Sequence, residues 1–278
     1  MPSLNSIKRQ LKSVRSTQKI TNAMSLVSTA KLQKQKQRYI VNNVFAEEYH
    51  KMLLSAFSGL TIDLSQEKYF NPAPVNNPLH IVITSNSGLC GSYNMELLKY
   101  MASTIDKNDP IFAIGTFGIK WLDANGYMVV KRFDRLDDAD PEQLNRLIDN
   151  ILVLYRAGEV SKVDIIYTQY INTLNFSPST YELLPLEMPD ELEHKDIEYG
   201  LPEHEMLDVL VPKYISAIIY STFLEAKTSE HAARRGAMDN ANSNAQSLIE
   251  EISLQLNQAR QATITQEVNE IISGAEAL

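Results

Sequence analysis

The two ends of this 278-residue sequence lack the residues that interrupt helices. All 11 prolines lie at position 2 or between positions 72 and 212, so residues 3–71 and 213–278 contain none. Those two stretches also hold only three of the 10 glycines. Because proline costs about 3 kcal/mol inside a helix, we expect a long helix at each end and a mixed domain between them.

Other scarcities exclude whole classes of protein. A single cysteine, Cys90, excludes a disulfide framework and a multi-cysteine metal site. No apolar run reaches the roughly 18 residues that a membrane span needs, which argues against an integral membrane protein. A net charge of -8 argues against a general nucleic-acid binder. The composition, 44% hydrophobic and 22% charged, is that of an ordinary globular protein.

Acidic residues are missing from the start of the chain, where the first acid is Glu47. Any single basic residue there is explained by a solvated helix face, but the absence of acids favours an acidic partner surface. A mitochondrial transit peptide is disfavoured because the helical pattern has no break before about residue 57. A DNA-binding basic region would precede its zipper, whereas here basic and apolar positions share one stretch. The basic residues are Lys8, Arg9, Lys12, Arg15, Lys19, Lys31, Lys34, Lys36 and Arg38.

The first helix opens with a coiled-coil spacing that then slips. Leu4, Ile7, Leu11 and Val14 are spaced 3, 4 and 3. We predict a long amphipathic helix with a weak coiled-coil pattern, and about 55 residues would span roughly 80 Å, too long for a small domain to bury. After the slip, the strict heptad lands on polar Gln18, Thr21, Ser25 and Ser28, whereas Ile20, Ala23, Met24, Val27 and Ala30 continue an apolar face.

The last helix is predicted to open at Pro212, to stop at Gly274 and to reach about 90 Å. We interpret its stripes as core-facing positions of an antiparallel two-helix coil, with small residues that allow a close approach. The first stripe is Ile215, Ile219, Thr222, Ala226, Ser229, Ala233 and Gly236. The second is Ile249, Ile252, Leu256, Ala259 and Thr263, with Ile264, Val268, Ile271 and Ala275 beside it.

Strands and helices alternate through the middle of the chain, which predicts a mostly parallel α/β sheet. Asp140 is the expected N-cap of a helix that has Pro141 at its first position. Pro185 places the last strand at an edge or an end. The predicted strands are 79–85, 111–115, 127–133, 163–168 and 181–184, and the predicted helices are 94–105, 117–124 and 140–156.

No motif in the chain predicts a catalytic, cofactor or metal site. Gly88 and Gly91 after the first strand do not form G-x-G-x-x-G, and no G-K-[ST] follows, so we predict a tight turn. The sequence places no histidine that would activate Cys90 as a nucleophile, so we interpret Cys90 as a small buried hydrophobic residue. The histidines form no ligand pair at helical spacing, and the acidic runs at 134–140 and 190–198 are interpreted as solvated loops.

Three segments together resemble the gamma subunit of F-type ATP synthases. Residues 3–32 (SLNSIKRQLKSVRSTQKITNAMSLVSTAKL) are similar to the start of that family, with its K-x-T/I-T-x-A-M-x-x-V-x-x-x-K-L core. Residues 228–278 are similar to its C-terminus, and the loop SNSGLCGSYN resembles its S-D-x-G-L-C-G-x-x-N. The layout of helix, mixed domain and helix agrees over the whole chain.

The resemblance implies a rotor shaft without catalytic site or cofactor. The expected fold is α/β: a long antiparallel coiled coil of both terminal helices (1–71 and 212–278) plus a Rossmann-like domain (72–211). One copy would turn inside an alpha/beta hexamer and contact the epsilon subunit and the membrane c ring, with no nucleic-acid partner. It would be peripheral on the cytoplasmic face of a bacterial membrane, with the mitochondrial matrix side as the alternative.

The resemblance also implies which residues meet the other subunits. The sequence differs from the family's pattern at two places. These differences leave an alternative interpretation, in which the chain is the shaft of a divergent F-type-like ATPase without the usual membrane ring. The loop has Asn86-Ser87 in place of an acid and often a base, and residues 199–202 lack the acid of the family's Tyr-Glu-Pro. An unrelated α/β enzyme or nucleic-acid binder is the third class. Expected hexamer contacts are Lys8, Arg9, Lys12, Met24, Arg234, Arg260, Gln261 and Thr265, and the ring or epsilon contact is Tyr199, Gly200 and Leu201.

Overall fold

The computed structural model describes residues 3–60, 62–134, 136, 141–187 and 202–276. The chain divides into two compact units, one of residues 1–29 with 234–278 and one of residues 30–233. Two long helices, α1 (Leu4–Phe57) and α5 (Glu203–Glu276), contribute to both units. The predicted long helix at each end of the chain is therefore confirmed.

A five-stranded sheet organises the unit of residues 30–233. Its strand order is β3-β2-β1-β4-β5. Strands β1 to β4 pair in parallel, and β5 pairs antiparallel with β4 at the edge. The predicted mostly parallel α/β sheet is confirmed, as is the edge position of the strand before Pro185. The strands are β1 (Pro78–Ile83), β2 (Ile111–Ile114), β3 (Val129–Phe133), β4 (Lys162–Tyr170) and β5 (Phe176–Leu184).

Each face of the sheet carries its own apolar core. Helices α2 (Tyr93–Thr104) and α3 (Thr116–Ala124) pack with Val82 and Ile166 on one face. Helix α4 (Pro141–Arg156), a short 3₁₀ turn (Leu64–Gln66) and parts of α1 and α5 cover the other face. Pro141 opens α4 as predicted, whereas its proposed cap, Asp140, lies outside the described residues. Strands β1, β2 and β4 are thus buried on both sides, as is usual for parallel sheets, whereas the edge strand β3 is largely exposed.

Helix α5 begins at Glu203, so the prediction that Pro212 opens it is wrong. An interior proline leaves the carbonyl four residues earlier without its helical donor. Here that carbonyl belongs to Asp208, and it accepts a hydrogen bond from the Arg156 guanidinium at 3.4 Å. Arg156 also lies 3.3 Å from the Asp208 carboxylate. An external donor therefore replaces the bond that Pro212 removes, and the helix continues through it.

Part of α5 has the length and apolar character of a membrane span. A window between Glu205 and Ser273 has a mean hydropathy of 1.3, and 56% of it is buried inside the protein. Core helices of globular proteins pass the same test when they are mostly buried. Several members of the first stripe, including Ile215, Ile219 and Ala226, belong to the apolar core beneath the sheet. Their burial accounts for the apolar character of this window.

The unit of residues 1–29 and 234–278 is a pair of helices. Ile7, Leu11 and Ile252 form its buried apolar contact, with Val14, Ile249, Leu256 and Ala259 packed against them. The predicted pairing of these two stripes is confirmed. The stripe that contains Ile264, Val268 and Ile271 is not part of this contact, because all three side chains are exposed. Helix α5 also runs past Gly274 to Glu276 instead of stopping there.

The predicted slip of the heptad register in α1 is wrong. Thr21, Ser25 and Ser28 are buried, whereas Ile20 and Val27 are more than half exposed. The 3.5-residue repeat of a left-handed coiled coil therefore continues through polar residues. Buried or half-buried side chains recur at Leu4, Ile7, Leu11, Val14, Gln18, Thr21, Ser25, Ser28, Leu32, Gln35, Tyr39, Asn42, Ala46, Tyr49, Leu53 and Ala56.

Candidate functional site

The surface of the helix pair is the candidate functional site, and a polar seam fixes its register. Gln18 Nε2 donates to Gln246 Oε1 at 2.9 Å, and Ser25 Oγ donates to Asp239 Oδ1 at 2.5 Å. Both bonds belong to one antiparallel register. Sliding one helix along the other would break both bonds, and the loss is costly for the buried Ser25 hydroxyl, because a buried polar group without a partner is destabilising. The seam therefore determines which residues of each helix face outward.

Three of the predicted contacts form a basic surface on the first turns of α1. Lys8, Arg9 and Lys12 are all exposed. Over the part of the chain that the structure describes, no acidic side chain forms an ion pair with any of them. Lys8 and Lys12 are four residues apart and so project from the same side of the helix. This surface can receive an acidic partner without first breaking an internal contact.

An apolar strip lies on the outside of the same helix, next to Met24. Met24 itself is half-buried. Ile20 is 60% exposed and Val27 56%, and the two project from the same side of the helix. The sequence reasoning assigned Ile20 and Val27 to the packed face and so missed this strip. Strict counting of the heptad past Val14 would have found it, because that count assigns the seam to the polar residues.

The end of α5 carries three more of the predicted contacts on a stretch of helix that no described residue of this chain covers. Arg260, Gln261 and Thr265 are exposed, as is every side chain described from residue 260 to 273. Thr265 Oγ1 donates to the Gln261 carbonyl at 2.9 Å, a bond within the helix. In the register of the seam, Leu4 lies near the level of Arg260, so α1 does not reach beyond it. Ile264, Val268 and Ile271 are therefore exposed as well.

The remaining predicted contacts differ from this pattern. Arg234 is only 7% exposed, so its guanidinium is packed within the protein instead of projecting from it. Tyr199, Gly200 and Leu201, the predicted ring or epsilon contact, lie outside the described residues. The helix pair therefore presents seven of the eight predicted hexamer contacts at least partly to its surface.

The turn after β1 has the geometry of a structural turn. The Asn94 side chain accepts from the Ser85 N–H at 3.0 Å and donates to Ser85 Oγ at 2.7 Å. Cys90 is buried and packs with Tyr93 and Ala233. Leu89 takes a positive φ of 62°. Within the described residues, no group of three or more His, Cys, Asp or Glu side chains could hold a metal ion.

Solved structures share this fold. A chain of the mitochondrial ATP synthase of Euglena gracilis (OSCP/F1/c-ring) superposes with a TM-score of 0.70 at 17% identity, covering 99% of this chain and 94% of that one. A chain of the central stalk and c-ring structure of Tetrahymena thermophila mitochondrial ATP synthase gives a TM-score of 0.60 at 20% identity, covering 80% and 99%. The fold, two long terminal helices joined by an α/β domain, is thus one found in the rotary part of ATP synthases.

Sequence comparison identifies the family. A family profile described as ATP synthase matches residues 3–278. The ATP synthase gamma chain of Lachnoclostridium phytofermentans is 36% identical over 297 aligned positions, covering 100% of both chains. That of Mycoplasma mycoides subsp. mycoides is 34% identical, covering 100% of this chain and 99% of its own. The chain belongs to the ATP synthase gamma chain family, the central-stalk subunits of F-type ATP synthases.

Proposed function

We propose that this chain is the rotor that turns inside an alpha/beta hexamer and couples proton flow to ATP synthesis or hydrolysis. The observation that carries the proposal is the exposed end of α5. A helix with Ile264, Val268 and Ile271 exposed is unfavourable in water, and a surrounding sleeve of subunits would cover it. The exposed basic residues of α1 supply a surface for an acidic loop of that sleeve.

The partners and location follow from the same proposal. One copy of the chain contacts the alpha and beta subunits through Lys8, Arg9, Lys12, Met24, Arg234, Arg260, Gln261 and Thr265. The epsilon subunit and the membrane c ring meet the region of Tyr199, Gly200 and Leu201. The complex is peripheral on the cytoplasmic face of a bacterial membrane. Residues 1–71 and 212–278 serve as the shaft and 72–211 as the domain that joins it to the ring.

The chain itself is proposed to have no catalytic site, so ATP chemistry belongs to the hexamer. The turn after β1 supports this view, because the Ser85 N–H at the end of the strand is bonded to the Asn94 side chain and the sequence there lacks a phosphate-loop motif. Among the alternatives, a shaft for an ATPase without a membrane ring is not favoured, since full-length relatives are named ATP synthase gamma chains. Calorimetry with MgATP should show no micromolar binding to the purified chain.

The coupling function is tested by a charge placed on the shaft. Met24 is half-buried beside the exposed apolar strip, so Met24→Lys would carry an ammonium group into any close contact with the hexamer. We expect membranes with this variant to hydrolyse ATP but to pump protons several-fold less per ATP than wild type. Ala102→Lys, at an exposed position on α2 of the α/β domain, is the control and should pump normally. Normal pumping by Met24→Lys would contradict the proposed contact.

A further inference from the structure

A buried carboxylate connects α5 to the carboxyl end of β4. Glu225 is 8% exposed. Its Oε1 accepts a hydrogen bond from the N–H of Tyr170, the last residue of β4, at 3.0 Å. The Tyr167 hydroxyl on the same strand faces the same carboxylate. One side chain of the long helix thus binds a backbone N–H of the sheet and lies beside a tyrosine hydroxyl of the same strand.

The same carboxylate also faces α1. Burial, together with the Glu225 charge, raises the pKa of Tyr39 on α1 to about 12. Burial likewise raises the pKa of Glu225, and the donors from Tyr170 and Tyr167 oppose that rise. Glu225 on α5 therefore lies beside β4, the neighbour of the central strand β1, and within electrostatic range of Tyr39 on α1.

The neighbouring residue of α5 is held in a similar way. The Tyr93 hydroxyl donates to the Ala226 carbonyl at 3.1 Å, and Tyr93 is 1% exposed. Beneath the sheet, α5 packs mainly through apolar side chains such as Ile215 and Ile219, and its other polar contacts in this unit include that of Asp208 with Arg156 near its start. Apolar attraction is non-directional, so such contacts tolerate a small rotation of the helix about its axis. Hydrogen bonds weaken steeply with angle, and those at Glu225 and Ala226 do not tolerate it.

We propose that Glu225 is a positioning residue that fixes the rotation of α5 relative to the sheet, so that torque passes between the α/β domain and the shaft. The proposal rests on the rotor function proposed above. Glu225 thus has a mechanical role. When the α/β domain rotates, the hydrogen-bonded carboxylate makes α5 rotate with it, whereas apolar contacts alone would allow the helix to rotate about its own axis. ATP chemistry itself does not involve Glu225.

Two substitutions separate the hydrogen bonds from the rest of the side chain. Glu225→Ala removes both acceptors. Glu225→Gln keeps the size and lets the amide oxygen accept from Tyr170 N–H while the amide nitrogen donates to the Tyr167 oxygen. In the complete membrane complex, we expect Glu225→Ala to retain ATP hydrolysis but to pump several-fold fewer protons per ATP, and Glu225→Gln to stay within about twofold of wild type. Glu251→Ala, an exposed acid on the same helix, is the matched control.

A second measurement uses the isolated full chain. Hydrogen exchange of the Tyr170 amide should accelerate by about tenfold or more in Glu225→Ala, because its acceptor is lost, and remain slow in Glu225→Gln. A fold defect would lower the amount of assembled complex without changing protons pumped per ATP. Unchanged pumping in Glu225→Ala, or equal losses in Ala and Gln variants, would overturn the proposal. A membrane complex assembled without this chain that pumped as many protons per ATP as the complete complex would instead refute the rotor function.

Discussion

At the residue scale, His80 lies in a row of charged side chains along the amino edge of the sheet. Its Nε2 is 3.4 Å from the Asp109 carboxylate and its Nδ1 is 3.6 Å from that of Asp164. Lys162 continues the row, 3.2 Å from Asp164 and 2.7 Å from Glu182. Burial lowers the pKa of His80, while Asp164 and Asp109 raise it and Lys162 lowers it further, so the net direction is downward. Burial also raises the pKa of Asp164.

The lowered pKa of His80 predicts an acid-sensitive fold. Between the folded pKa and the unfolded value of 6.5, the unfolded chain binds more protons, so stability is gained as pH rises through this window and lost as pH falls. His80→Gln removes that titration. The urea midpoint of its unfolding should therefore change less with pH between about 5 and 7, the range in which histidine side chains titrate. The exposed His50→Gln serves as the control and should follow wild type. Parallel curves for wild type and His80→Gln would contradict the assignment.

At the element scale, the sequence predicted which segments form helices and strands but not where every helix begins. The absence of proline and glycine identified α1 and most of α5, and alternation identified the sheet. The start of α5 at Glu203 could not be predicted, because the Asp208 carbonyl that Pro212 frees is satisfied by Arg156, a residue from a distant helix. The seam of α1 was missed for a related reason: Ser25 looks like a surface residue until Asp239 is placed beside it.

Two helical glycines distinguish a close contact from an open surface. A Cβ at Gly118 in α3 would lie 2.5 Å from Thr84 Oγ1, and Thr84 cannot move freely because that oxygen donates to the Ile114 carbonyl and accepts from the Gly118 N–H. Gly118→Ala should therefore lower the free energy of unfolding by about 1–3 kcal/mol. Gly236 in α5 has no neighbouring atom within 4 Å of such a Cβ, so Gly236→Ala should raise it by roughly 0.5–1 kcal/mol. Chemical denaturation of both variants measures these changes, and equal effects of one sign would contradict the packing.

At the scale of the whole molecule, the surfaces that meet other subunits are the hardest to predict from one chain. Exposed Ile264 and Ile271 resemble seam positions in sequence, and only the structure shows that α1 begins at Leu4 and that the described residues leave both side chains uncovered. Arg234 shows the opposite difficulty, since a residue expected at an interface is buried. The contact residues expected here come from the family resemblance and not from residue patterns, because a surface shaped for a partner carries little periodic signal of its own.

The polar contacts predicted for the end of α5 belong to this scale, because their partner would come from the other subunits of a complete complex. Gln261 and Thr265 are exposed on a stretch that α1 does not reach. A hydrogen bond to a charged group contributes about 1.5–3 kcal/mol, so one that forms and breaks as the shaft turns should affect turnover more than assembly. In the reassembled hexamer, Gln261→Leu and Thr265→Val should assemble normally and hydrolyse ATP several-fold more slowly. Gln255→Leu, also exposed but on the paired part of α5, controls for the loss of a surface amide. Full activity with normal coupling in both variants would show that the two side chains are ordinary surface residues.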